Sequence, residues 1–78
     1  MAQPTDKQGQ YLVFIYYFTK VNGQPPAEVD MQRYFKVTAP SVHQMVLTLE
    51  KHRFIERVLG KGRSIRVLLS KDQLPELE

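Results

Sequence analysis

"VTAPSVHQMVLTLEKHRF", residues 37 to 54, decides how the rest of the chain is read. Val42, Val46 and Leu49 fall at i, i+4 and i+7, the single apolar stripe of a helix, with Met45 beside it. Thr38 is a good N-cap, and Ala39-Pro40 follow it in the first turn, where a missing amide leaves nothing unpaired. The spacing predicts a helix over 39–52. Gln44, Thr48 and Lys51 point away from the stripe, and Ser41, His43 and Gln44 put hydrogen-bonding groups on the first two turns of a face the core does not use. The exit is Lys51-His52-Arg53, with an arginine where a glycine is the common terminator.

Upstream, Thr5 and Gln8 have capping-box spacing. Tyr11, Phe14, Ile15, Phe18 and Val21 then recur at helical spacing as far as the stop signal Asn22-Gly23, which predicts a helix over 5–22. Gln24-Pro25-Pro26 forces a turn. A shorter helix over 27–35 has Glu28 and Asp30 in its first turn, where the helix dipole favours acids, and Met31, Tyr34 and Phe35 as its apolar side. Lys36-Val37 is then a tight turn into Thr38. Downstream, "FIERVL" (54–59) and "SIRVLL" (64–69) are β-branched and apolar, joined by "GKGR" (60–63), a hairpin pattern. The expected fold class is mainly α with a β-hairpin, a winged helix-turn-helix of three helices and a two-stranded wing. Its expected core is Phe14, Ile15, Phe18, Met31, Phe35, Val42, Val46 and Leu49. Residues 1–4 are expected to be disordered, 5–69 to form the domain, and 70–78 to be an acidic tail or the start of a linker.

Bulk properties narrow the function. The 78 residues suffice for one small domain and contain no cysteine, so there is no disulfide framework and no thiolate zinc site. The histidines and acids show no metal-ligand spacing, and no cofactor is implied. "MAQPTDKQGQ" lacks a signal-peptide pattern, and "YLVFIYYF" is too short to span a bilayer. The expected location is cytoplasmic, nucleoid-associated if bacterial, with no membrane and no small-molecule substrate as partner. Ser41, Ser64 and Ser70 have no evident triad partners, so an enzyme is not expected. The net charge is +3, and its distribution says more: Lys51, Arg53, Arg57, Lys61, Arg63 and Arg66 lie together with Glu56 as the only acid among them.

The second helix of a helix-turn-helix enters the DNA major groove and meets base edges with its N-terminal residues. Ser41, His43 and Gln44 are the candidates for that role, Gln44 being suited to bidentate contact with adenine. Thr38 with the free amides beside it, and Thr48, are candidates for the phosphate backbone. Lys61 and Arg63 at the wing tip, with Arg57 and Arg66, are candidates for the backbone or the minor groove. With a four-residue loop at "GKGR", Arg57 faces Arg66. Like charges so placed are unfavourable, which fits a nearby phosphate; otherwise Arg57 bonds Glu56 or another acid nearby, or a bulge breaks the register. On the first helix Val13, Tyr16 and Tyr17 with Lys20 fall opposite the core stripe. This arc is either a homodimer or partner interface or a set of side chains that tolerate solvent. Leu47, on the polar arc of the third helix, either touches a thymine methyl or packs under the wing. Double-stranded DNA binding by a small transcriptional regulator is the leading function; a protein-interaction adaptor using the aromatic outer face of helix one is the alternative.

Three stretches resemble the DNA-binding domain of the LexA repressor family. "TDKQGQYLVFIYYFTKVNGQPP" is similar to that family's first helix ending in Gly-x-Pro-Pro, while "VHQMVLTLEKHRFIERV" and "GRSIRVLL" are similar to its third helix and wing. The resemblance covers residues 5 to 69 and implies a transcriptional repressor that inserts its third helix into the major groove, with base contacts from Ser41, His43 and Gln44. The self-cleaving peptidase domain of that family is expected to be absent. The turn "FKVTAP" is one residue shorter than usual, and Arg53 replaces the usual glycine.

Overall fold

The computed structural model describes residues 3–78; residues 1 and 2 lie outside it, so the expected disordered start falls partly beyond the described residues. Three helices, α1 (Asp6–Asn22), α2 (Glu28–Phe35) and α3 (Ala39–Lys51), precede a two-stranded antiparallel wing, β1 (Ile55–Glu56) and β2 (Arg66–Val67). The fold is a winged helix-turn-helix.

Each helix begins and ends for a local reason. The Thr5 hydroxyl accepts from the Gln8 amide at 3.2 Å, and the Gln8 side chain accepts from the Thr5 amide at 2.9 Å, closing a capping box at the start of α1. Gly23 takes φ 77° and donates its amide to Thr19 at 2.9 Å to end the helix. At the start of α2 the Asp30 carboxylate accepts from the Ala27 amide at 2.8 Å. Lys36 ends that helix at φ 55°, and Thr38 caps α3 by accepting from the Ser41 amide at 3.3 Å. α3 closes in a Schellman motif: Arg53 sits at φ 62°, its amide donates to Glu50, and the Phe54 amide donates to Leu49, both at 3.0 Å. Leu49 and Phe54, which that motif brings together, are both in the core.

The core joins Tyr11, Leu12 and Ile15 of α1, Met31 of α2, Val42, Val46 and Leu49 of α3, and Phe54, Ile55 and Ile65 of the wing. Tyr11 stacks on Phe35 with centroids 4.1 Å apart. Its hydroxyl is buried without a hydrogen-bond partner among the described residues, and burial raises its pKa above 10.0. Phe18 and Phe35 are half-buried against this cluster. Val21 is 81% exposed and Tyr34 is exposed, so both depart from the buried stripes expected of them.

The wing corrects the expected register. Ile55 pairs with Val67 and Glu56 with Arg66, one residue away from the pairing that sets Arg57 against Arg66. The strands are two residues each, far shorter than the apolar runs. Above them Ser64 closes the loop, accepting from the Val58 amide at 2.9 Å with its hydroxyl 2.9 Å from the Lys61 carbonyl. Gly60 and Arg63 turn the chain at φ 76° and 54°.

The C-terminal segment is no free tail. After a 3-10 turn at Lys71–Gln73 it runs along α1, with Leu74 and Leu77 packed on the core. The Gln10 side chain donates to the Glu76 carbonyl at 2.9 Å and accepts from the Glu78 amide at 2.8 Å. The Tyr34 hydroxyl donates to the Glu78 carbonyl at 2.8 Å. A Cβ on Gly9 would sit 3.0 Å from the Pro75 ring, so a side chain there would have to press the strap outward by a few tenths of an ångström. Val13 is 2% exposed, and Val13, Tyr16 and Tyr17 share a pocket wall with Lys71, Leu74, Pro75 and Glu76. Of the expected interface arc, Val13 is therefore buried, Tyr16 is half-buried and Tyr17 is exposed. Among the described residues no helix is long and apolar enough to cross a membrane.

Candidate nucleic-acid interface

Opposite the buried stripe of α3 lie Pro40, Gln44, Leu47 and Lys51, all exposed, as about 100° of rotation per residue requires. Ser41 flanks this face on one side and His43 on the other, both exposed. The Gln44 side chain makes no hydrogen bond among the described residues, so its amide is open to a ligand. Thr48 is half-buried and spends its hydroxyl on the Gln44 carbonyl at 2.9 Å. Thr38 holds the helix start, beside the amides that favour an anion. Leu47 lies on the outward face and is 36% exposed. That position was legible from the helical wheel; what it touches was not.

The basic residues divide into paired and unpaired. Arg57 is 19% exposed; its Nε donates to Glu50 at 3.2 Å and its Nη1 lies 4.0 Å from Glu28. Arg66 is paired with Glu56 across the wing. Arg63 folds back from the wing tip to donate to Asp30 at 2.9 Å. Asp30 thus holds both the start of α2 and the wing tip, a link the sequence did not signal because its two partners lie far apart in the chain. Lys61, Lys51 and Arg53 are exposed and make no ion pair among the described residues. Glu28, which sequence reading noted only as a first-turn acid, contacts His43 with Nδ1 3.2 Å from the nearer carboxylate oxygen. The outward face of α3 thus carries polar groups at its start, an apolar residue at its centre and a lysine at its end, and the wing carries a second unpaired lysine.

The chain is similar to LexA repressors. It is 38% identical over 76 residues to the LexA repressor of Thermotoga neapolitana, covering 96% of this chain and 39% of that protein. It is 37% identical over 67 residues to that of Thermotoga petrophila, covering 86% and 34%, and 32% identical over 74 residues to that of Thermosipho melanesiensis, covering 95% and 37%. The chain thus spans between a third and two-fifths of the length of these LexA repressors, and the similarity takes in all three helices and the wing. No family model matches it.

Proposed function

We propose that this chain binds double-stranded DNA in a sequence-specific way, as the operator-reading part of a transcriptional repressor. The observation that carries the reading is the outward face of α3, where Ser41, His43 and Gln44 stand exposed at the start of the second helix of a helix-turn-helix. Similarity to LexA repressors over the same residues supports it. Gln44 and Ser41 meet base edges, Leu47 offers a methyl contact, Thr38 and the amides beside it meet a phosphate, and Lys61 meets the backbone or minor groove. Arg63 and Arg66 join it by exchanging their carboxylate partners for phosphates. Arg57 stays with Glu50 and Glu28 and positions the wing against α3. The adaptor reading would rest on Tyr17, the exposed member of its arc, since Val13 is buried.

A salt titration on duplexes drawn from a binding selection, and on scrambled ones, tests this. Gln44→Ala should relax preference at one or two base pairs, costing about 1 to 3 kcal/mol on the selected sequence. Lys61→Ala should weaken binding to every sequence alike and flatten the salt dependence by about one phosphate contact. Absence of binding at low salt would overturn the reading. Equal losses from both variants on all duplexes would overturn the assigned roles.

A further inference from the structure

His43 and Glu28 come from different helices and meet at the edge of the outward face of α3. Nδ1 of His43 lies 3.3 and 3.2 Å from the two carboxylate oxygens of Glu28, while the side chains remain 51% and 37% exposed. Arg57 reaches the same carboxylate at 4.0 Å and bonds Glu50 of α3 at 3.2 Å. Among the described residues no other ion pair reaches His43 or Glu28. An ionised carboxylate only accepts, so the ring nitrogen beside it carries the hydrogen. In the neutral ring that leaves Nε2 as a bare acceptor, and Nε2 has no partner among the described residues.

We propose that Glu28 fixes His43 in its Nδ1–H tautomer, so that the histidine meets the major groove as an acceptor and reads an exocyclic amino group. The inference rests on the DNA-binding reading above. The major-groove donors are N4 of cytosine and N6 of adenine, whereas guanine offers only the acceptors N7 and O6. Neutral His43 so held accepts from cytosine or adenine and is set against guanine. Glu28 is a positioning residue, acting through His43 without touching a base.

Nitrogen-15 NMR of the free chain at about pH 8 reads the tautomer directly. The expected result is hydrogen on Nδ1 in the wild type, transfer of the population toward Nε2 in Glu28→Ala, and its recovery in Glu28→Gln, which keeps an acceptor oxygen. Selection from a random duplex library reads the consequence. One position should favour cytosine or adenine over guanine by about two- to tenfold. His43→Ala should abolish that preference, Glu28→Ala should weaken it, and His52→Ala should leave it unchanged. Hydrogen on Nε2 in the wild type, or the absence of any His43-dependent preference against guanine, overturns this inference alone. Failure of the wild type to bind any duplex at low salt overturns the DNA reading and this inference with it.

Discussion

Arg53 and Lys36 occupy left-handed backbone conformations at φ 62° and 55°, immediately beyond the ends of α3 and α2. An L-residue with a Cβ is strained there by about 1 to 2 kcal/mol, partly offset because glycine loses more backbone freedom on folding. Arg53→Gly should therefore raise stability by about 0.5 to 1 kcal/mol, read as a higher urea midpoint at unchanged slope. A fall in the midpoint would show that the arginine side chain makes a contact worth more than the strain. Tyr11 presents a different imbalance, a buried hydroxyl with no partner among the described residues. Tyr11→Phe removes a polar group that burial penalises and should leave stability at neutral pH equal or higher by about 1 kcal/mol. Its pH dependence has a definite sign. The folded state holds the phenol above 10.0, so the unfolded chain releases its proton first as pH rises. The contribution is whole below that value and is lost above it. Alkaline denaturation of the wild type should include this loss and that of Tyr11→Phe should lack it.

The three helices were legible because their punctuation is local: Thr5 with Gln8, Asn22-Gly23, Pro26 and Thr38 each lie within a turn of the boundary they set. The polar start of α3 was legible for the same reason. The wing register was not, because strands of two residues offer no alternation to count and because Ser64, not a turn dipeptide, ties the loop. The destination of Arg57 and Arg63 was equally hidden, since Glu28, Glu50 and Asp30 belong to other elements. The strap is the largest miss. "KDQLPELE" is charged at half its positions and has no period, and only Leu74 and Leu77 betray that it packs. Leu74→Ala should cost about 1 to 2 kcal/mol, the share due to a half-buried leucine, and make the Tyr17 side of α1 more accessible to proteolysis or hydrogen exchange. A melting temperature unchanged by Leu74→Ala would mean that the strap contributes nothing to the fold.

Across the whole molecule the net charge of +3 already counts every acid, and Arg57, Arg63 and Arg66 each face a carboxylate, so a polyanion gains these three cations only by displacing a partner. Exposed pairs are worth at most about 1 kcal/mol, so phosphate can compete for them. Glu56→Gln frees Arg66 from its partner and should strengthen binding to all duplexes alike, because the carboxylate no longer competes with phosphate. Affinity unchanged by Glu56→Gln on every duplex would place Arg66 away from the DNA. The strap bears on how the molecule forms as well as on how it holds. The two bonds of Gln10 span 66 and 68 residues of chain, while the caps of the helices and the Ser64 loop close within a few. Closing so long a loop costs chain entropy that only an assembled helical platform can offset. The strap should consequently dock after the rate-limiting barrier to folding. Leu74→Ala would then leave the refolding rate nearly untouched and place its effect in faster unfolding, so that the last residues of the chain govern how long the native state survives and not how quickly it is reached.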